Sequence, residues 1–232
     1  MGTSGVAEYE QLGFAADRVF PFMSAPPGSK APGLTGERRS SDACRMLFVG
    51  RLDGVQKGVD LLVSALSRFP DGNWTFDFVG GYRDLVEAVT GLASTRESVR
   101  YMSVWPRQEV VEPMAAYDVL VIPSRYDGWN TIANQAISAG VAIIISDQAT
   151  SHDLVGASGA GVAIPAADEE ALVESMARIC RSEADRAKFM TAAVKFGARI
   201  ATPAMASYLI RILDHAVLGV GGRPSSDVFE RR

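Results

Sequence analysis

Short apolar runs separated by amphipathic stretches dominate the chain from residue 46 onward. Strands that are apolar on both faces and alternate with helices are typical of a parallel sheet covered by helices. The pattern therefore predicts an α/β domain whose mostly parallel sheet carries helices on both faces. The predicted strands are Met46–Val49, Trp74–Val79, Val99–Met102, Val119–Ile122, Ala142–Ile145 and Gly161–Ile164.

Helical periodicity fills most of the intervals between these strands and continues after the last one. Asp168 fits an N-cap, and the two acids that follow it favour a helix start. The glycine-rich stretch Gly156–Gly161 precedes a strand instead of following one, so it is predicted to be a turn and His152 a loop residue. The predicted helices are Glu8–Leu12, Gly58–Phe69, Tyr82–Ser94, Gln108–Ala116, Thr131–Ala139, Asp168–Cys180, Glu183–Ile200 and Met205–Val217.

Composition divides the chain into four parts. Residues 24–45 are rich in Pro, Gly and Ser without periodicity, which predicts an interdomain linker. Residues 1–23, with a predicted strand at Arg18–Phe22, are too few to form a core and are interpreted as a residual segment of an N-terminal half. Residues 46–200 form the main domain, and residues 201–232 a C-terminal helix with a tail expected to fray from Gly219.

Charge and cysteine content exclude several classes of protein. The net charge of −4 and the lack of a basic face argue against a nucleic-acid partner. Two cysteines in 232 residues favour a reducing compartment, and no signal-peptide pattern opens the chain, so a cytoplasmic location is expected. The longest apolar stretch, around Val141–Ile145, is too short to cross a bilayer, so no integral membrane segment is expected.

Candidate chemistry lies at the strand ends, because ligands of parallel sheets bind outside the carboxyl ends of the strands. Arg51 follows the first strand and Gly50, and Lys57 begins the next helix. Two cations and the N–H groups of a helix start would suit a diphosphate, and small residues let a ligand approach the backbone. The alternative is that Arg51 pairs with a surface acid and that Lys57 is solvated.

A second candidate group follows the strand Val119–Ile122. Asp127 precedes Gly128, and Gln135 lies four residues after Thr131 on one helical face, so a loop residue and a helix residue could hold two ends of a polar ligand. The alternatives are that Asp127 or Asn130 caps the helix and that Gln135 is exposed.

Several motifs in collinear order identify a family resemblance. VGRL, KG, VGG, W-P-x-x-E, AYDVLVIPSRYDGW and IANQAISAGVAIIISD follow one another between Met46 and Cys180. In this order they resemble the group 1 family of retaining nucleotide-sugar glycosyltransferases with the GT-B fold. The resemblance implies a Rossmann-like C-terminal domain that binds the donor sugar nucleotide.

The resemblance also implies roles for individual residues. Arg51 and Lys57 match the cations that contact the donor diphosphate, Asp127 matches an acid that binds sugar hydroxyls, and Gln135 matches a Glu that binds ribose. Asp127 stands where Glu is usual, and an amide at 135 accepts hydrogen bonds less strongly than a carboxylate. Asn130 replaces a usual Gly, which fits a left-handed backbone there. The remaining matched positions are Gly128, Trp129, Asn130 and Thr131 in the sugar and phosphate loop, and Val104 near the nucleobase.

The resemblance finally implies an activity. The parent protein would transfer a hexose from a UDP- or GDP-sugar to a glycan or other acceptor with retention, using no cofactor and no metal. Its partner would be an N-terminal acceptor-binding domain, and the present chain, a fragment without that domain, is expected to be inactive alone. One alternative, motivated by Gln135, is a non-catalytic nucleotide-sugar scaffold or sensor, and a weaker one is a sugar-nucleotide epimerase.

Overall fold

A computed structural model describes residues 3–23, 43–81, 84–106, 109–225 and 228–229. The predicted linker lies almost wholly outside the described residues. The predicted starts of two helices, Tyr82 and Gln108, lie outside them as well.

The described residues form a six-stranded sheet in which every pairing is parallel. The strand order is β3-β2-β1-β4-β5-β6, so the chain reverses its direction of travel across the sheet between β3 and β4. This order is that of the Rossmann fold. The strands are β1 (Cys44–Val49), β2 (Trp74–Val79), β3 (Val99–Met102), β4 (Val119–Ile122), β5 (Ala142–Ser146) and β6 (Gly161–Ile164).

Helices connect the strands and continue after β6. Asp168 caps α7 by accepting a hydrogen bond from the Ala171 N–H at 2.9 Å, which confirms the predicted N-cap. The α-helices are α1 (Thr3–Gln11), α2 (Val59–Ser67), α3 (Val86–Thr95), α4 (Val111–Met114), α5 (Thr131–Ala139), α6 (His152–Ser158), α7 (Glu169–Arg181), α8 (Glu183–Ile200) and α9 (Thr202–Leu213). None of the helices in this part of the chain is long and apolar enough to cross a membrane.

Three sequence predictions of secondary structure are wrong. The stretch Arg18–Phe22 is no strand, because a 3-10 turn ends at Arg18 and extended backbone outside the sheet follows. The predicted turn at Gly156–Gly161 contains the end of α6, which begins at His152. Gly159 ends that helix in the left-handed conformation, with φ of 66°. The last predicted helix stops at Leu213, where a π-helical turn replaces it.

Hydrophobic layers cover both faces of the sheet, as the strand pattern predicts. Successive residues of β1 alternate between them: Met46 and Phe48 belong to one layer and Leu47 to the other. Val19 and Met23, from the N-terminal segment, are buried, and Met23 packs in the same layer as Leu47. Part of residues 1–23 therefore packs on this domain, while its assignment to another half stays a prediction.

The chain after Gly219 is anchored at two points, contrary to the expectation of a frayed tail. Arg223 donates hydrogen bonds to the carbonyl oxygens of Ala16 and, at 2.9 Å, Val19, and its guanidinium lies over the ring of Phe20. Val228 is buried in the hydrophobic layer that contains Met23. These contacts join the two ends of the described chain.

Candidate functional site

The sheet places two of the candidate loops side by side. β1 and β4 are neighbours at the point where the strand order reverses, and ligands of such sheets bind in the crevice there. The loop Gly50–Gly58 follows β1, and the loop Pro123–Asn130 follows β4. Residues that are about 75 positions apart in sequence are thereby brought to one edge of the sheet.

Two glycines allow backbones to touch at this edge, Gly58 between the loops after β1 and β4 and Gly80 between the ends of β1 and β2. Gly58 has φ of 67°, and a Cβ at this position would lie 2.2 Å from the carbonyl oxygen of Pro123. A Cβ at Gly80 would lie 1.9 Å from the carbonyl oxygen of Gly50. Both distances are far below any real contact, so only glycine fits, and the ends of β1, β2 and β4 form one continuous edge.

Arg125 binds the two loops together. Its N–H donates to the carbonyl oxygen of Gln56 at 2.9 Å, and its guanidinium binds both carboxylate oxygens of Asp60 at 2.6 and 2.8 Å and the carbonyl of Gly54. The hydrogen bonds from Arg125 hold the pKa of Asp60 below its ordinary value. A planar guanidinium makes this two-point contact, which an ammonium cannot reproduce.

Arg125→Lys is expected to lower the free energy of unfolding by about 0.5–1 kcal/mol at pH 7, a small effect because the pair is partly exposed. Since the pKa of Asp60 is lowered in the folded state, the stabilisation is complete above the ordinary value of 3.8 and is lost as the pH falls through the lowered pKa. Urea unfolding between pH 7 and pH 3 measures the difference. The control is Arg178→Lys, because Arg178 forms a surface pair with Asp185 through one hydrogen bond. An effect of Arg125→Lys that does not change with pH would contradict the conclusion that Arg125 lowers the pKa of Asp60.

The candidate cation and the candidate acid meet across the two loops. Lys57 Nζ donates to Asp127 Oδ2, and Asn130 Nδ2 donates to the same oxygen at 2.8 Å. The backbone of Asp127 is held by the next loop, because its N–H donates to the carbonyl of Gln148 at 3.1 Å and its carbonyl accepts from the N–H of Thr150 at 3.2 Å. Sequence spacing predicts neither the ion pair nor this bridge.

Arg51 is anchored within its own loop. Its Nη2 lies 3.2 Å from Asp53 Oδ2 and also donates to Gln56 Oε1, while the Gln56 N–H donates to Asp53 Oδ1 at 2.8 Å. The side chain of Arg51 is 48% exposed and can meet a ligand. The alternative that Arg51 pairs with a surface acid is right about the pairing, but Asp53 is buried. The alternative that Lys57 is solvated is wrong, because Lys57 donates to Asp127. Asp53, two residues after Arg51, is the sequence signal that could have indicated this network.

The start of α5 corrects two expectations. Asn130 is the N-cap, since its Oδ1 accepts a hydrogen bond from the Ile132 N–H at 3.2 Å, but its φ of −79° is not left-handed. The left-handed backbone that would have made Asn acceptable in place of Gly is therefore absent at residue 130, and an extended cap residue does not need it. Gln135 is 9% exposed, so the alternative of an exposed helix residue is also wrong. Gly128 and Thr131 are exposed.

The loop after β3 is anchored through an aromatic contact. Val104, matched to the nucleobase region, is 55% exposed. Its neighbour Trp105 packs on Tyr117 with ring centroids 6.1 Å apart. The Tyr117 hydroxyl donates at 2.5 Å to the fully buried Asp77, whose carboxylate also accepts two bonds from Arg100. Burial and the bond to Asp77 raise the pKa of Tyr117, so it stays a donor and fixes this side of the crevice.

The charged groups gathered at this edge include Arg51, Lys57 and Asp127, with Asp53 beside Arg51 and the Arg125–Asp60 pair next to them. In the described part of the chain, no group of three or more His, Cys, Asp or Glu side chains is arranged to hold a metal ion. Trp129 packs against the hydrophobic layer of Leu47, so its indole contributes to the support of the loop. The arrangement can offer an anion two cations and can offer a polyol a fixed carboxylate. The start of α2 is occupied, since the N–H of Val59 donates to the carbonyl oxygen of Asp53 at 3.3 Å.

The sheet order and the crevice define an α/β domain of the Rossmann type. The sequence model of the family "Glycosyl transferases group 1" matches residues 43–182, more than half of the chain. The chain therefore belongs to the group 1 glycosyltransferase family and corresponds to its C-terminal Rossmann-like domain.

Curated relatives agree with this family. The chain is 24% identical over 215 residues to a phosphatidyl-myo-inositol mannosyltransferase of Mycobacterium leprae, which covers 89% of the chain and 55% of the relative. It is 29% identical over 183 residues to a GDP-mannose:cellobiosyl-diphosphopolyprenol alpha-mannosyltransferase of Xanthomonas campestris. That alignment covers 75% of this chain and 45% of the relative. The chain thus spans about half the length of these relatives.

Solved structures show the same fold. Sucrose-phosphate synthase from Thermosynechococcus elongatus superposes with a TM-score of 0.74 at 20% identity, over 94% of this chain and 58% of that one. WaaG, a glycosyltransferase involved in lipopolysaccharide biosynthesis, superposes with a TM-score of 0.70 at 21% identity. The superposition covers 96% of this chain and 62% of WaaG. The predicted Rossmann-like fold of the GT-B type is confirmed.

Proposed function

We propose that the chain is the donor-binding domain of a glycosyltransferase that transfers a hexose from a UDP- or GDP-sugar with retention. The observation that carries the proposal is the junction of Lys57 and Asp127 at the β1–β4 crevice. A cation from the β1 loop and a carboxylate from the β4 loop meet there, as required by a ligand with a diphosphate beside a sugar. The non-catalytic alternative is not favoured by the family match.

The diphosphate would bind the β1 side of the crevice. Arg51 and Lys57 supply two cations at the end of β1. During sugar transfer the diphosphate leaves with growing negative charge. Cations held at the diphosphate position stabilise that charge, which lowers the barrier.

The sugar and the ribose would bind the β4 side. Asp127 accepts hydrogen bonds from sugar hydroxyls, and the exposed Gly128 lets the ligand approach the loop backbone. Gln135, one turn into α5, can both donate to and accept from ribose hydroxyls. Val104 faces the base from the loop after β3. Asp127 is held by bonds to Lys57, Asn130 and the backbone of Gln148 and Thr150, so it loses little freedom on binding.

The printed name of the Xanthomonas relative specifies GDP-mannose as its donor, and the Mycobacterium relative is named a mannosyltransferase. GDP-mannose is therefore the first donor to test. The acceptor side would come from an N-terminal domain of the same protein, so we propose that the 232-residue chain alone binds the donor without transferring sugar.

Calorimetric titration with UDP, GDP and ADP tests the proposal. UDP or GDP should bind with a dissociation constant in the micromolar to low-millimolar range, and ADP should bind more weakly. The matching nucleotide sugar should bind as well. If none of these nucleotides binds to the folded protein, the donor-site proposal is wrong, and measurable sugar transfer by the chain alone would overturn the requirement for an acceptor domain.

A further inference from the structure

The ion pair between Lys57 and Asp127 joins the two halves of the proposed donor site. We propose that this ion pair makes the site bind the complete nucleotide sugar in preference to the bare nucleoside diphosphate. A diphosphate that binds Lys57 removes the cation from Asp127, and this loss opposes its binding. The inference rests on the proposed function. It concerns the discrimination between substrate and spent nucleotide at the same site.

The hydrogen bonds to the Asp127 side chain converge on one oxygen. Lys57 Nζ and, at 2.8 Å, Asn130 Nδ2 donate to Oδ2, and Ser124 Oγ lies 3.5 Å from it. Among the described residues none donates to Oδ1. The backbone bonds to Gln148 and Thr150 fix the residue from both sides, so Oδ1 is held ready as an acceptor.

Both partners of the ion pair are largely shielded from water. The exposed fractions are 18% for the side chain of Lys57 and 11% for that of Asp127. Removing the cation from a shielded carboxylate leaves a poorly solvated charge, which is costly. A diphosphate that takes Lys57 adds its own negative charge nearby, so the two anions compete for one ammonium group.

A sugar on the diphosphate changes this balance. Its hydroxyls can donate to Oδ1 and replace part of the stabilisation that Lys57 withdraws, since hydrogen bonds to a charged acceptor are the strong ones. A nucleoside diphosphate carries no such donors at that position. After transfer the sugar hydroxyls leave with the acceptor. The ion pair between Lys57 and Asp127 then forms again, which favours dissociation of the nucleoside diphosphate.

The test uses Asp127→Asn, which keeps the shape of the side chain and removes its charge. Wild type and variant are titrated with pyrophosphate, with GDP and GDP-mannose, and with UDP and UDP-glucose. The variant should bind pyrophosphate and the nucleoside diphosphate about 3- to 10-fold more tightly, because Lys57 is no longer shared. It should bind the nucleotide sugar no better or up to about 10-fold more weakly, because the charged acceptor is lost.

Two further variants keep the result interpretable. In Lys57→Gln the additional Asp127→Asn change should give a smaller gain in pyrophosphate affinity than it gives in wild type, because it then relieves only the repulsion between the carboxylate and the diphosphate and frees no cation. Asp127→Ser, which also removes the charge, must repeat the gain if Asp127→Asn does not fold by circular dichroism. Nucleotide binding by wild type without a gain in either folded variant overturns this inference alone, whereas failure of wild type to bind any nucleotide overturns the proposed function and this inference with it.

Discussion

Gly58→Ala is expected to lower the free energy of unfolding by roughly 3 kcal/mol. The residue has φ of 67°, where an L side chain is strained, and its Cβ would lie 2.2 Å from the Pro123 carbonyl oxygen. The backbone of one loop must then move away from the other. Lys57 moves with it, so nucleotide affinity should fall as well.

Urea unfolding monitored by circular dichroism measures the loss. The matched control is Gly91→Ala, because Gly91 lies inside α3 and a Cβ there meets nothing within 4 Å. That change should stabilise the protein by about 0.5–1 kcal/mol, since alanine is the better helix former. Equal effects of the two variants would contradict the close approach of the two loops.

Lys57→Gln is expected to weaken binding of GDP or UDP by about 10- to 100-fold, the size of a lost hydrogen bond between charged groups. The variant removes the ammonium group from the proposed diphosphate position and also leaves Asp127 without its cation. Titration calorimetry at a fixed salt concentration measures the change. Because the attraction is electrostatic, the salt dependence of nucleotide affinity should become shallower too.

Lys188→Gln is the control for this charge change. Lys188 is an exposed residue of α8, a helix that begins after β6 and α7 and takes no part in the two loops. Its replacement alters the net charge identically and should leave nucleotide affinity within about twofold, because an exposed distant charge is screened. A comparable loss in both variants would mean that Lys57 acts only through the overall charge.

Much of the fold could be predicted because buried strands of a parallel sheet are apolar on both faces. Four predicted strands, including Trp74–Val79 and Val119–Ile122, match the structure at both ends. The helices Thr131–Ala139 and Glu183–Ile200 also match. Helix α6 was missed because it has only seven residues and contains Gly156, so its periodicity is too short to stand out from a turn.

The candidate site was predictable as a set of residues, and less so as a set of contacts. Glycines and charges after strands indicate a ligand edge, since strand ends of a parallel sheet converge there. The burial of Gln135 depends on what packs over α5, which periodicity alone does not reveal. The sequence did not decide whether Arg51 pairs with an acid or binds a ligand, because arginine is used for both roles.

The amino-acid sequence by itself determined the class of sheet, its strand positions and the family motifs, because these depend on local apolar periodicity and on collinear order along the chain. Only the tertiary structure decided that Lys57 donates to Asp127, that Gly58 lies against Pro123, and that Arg125 joins the two loops. These contacts link residues about 65 to 70 positions apart. They exist because β1 and β4 become neighbours only when the strand order reverses.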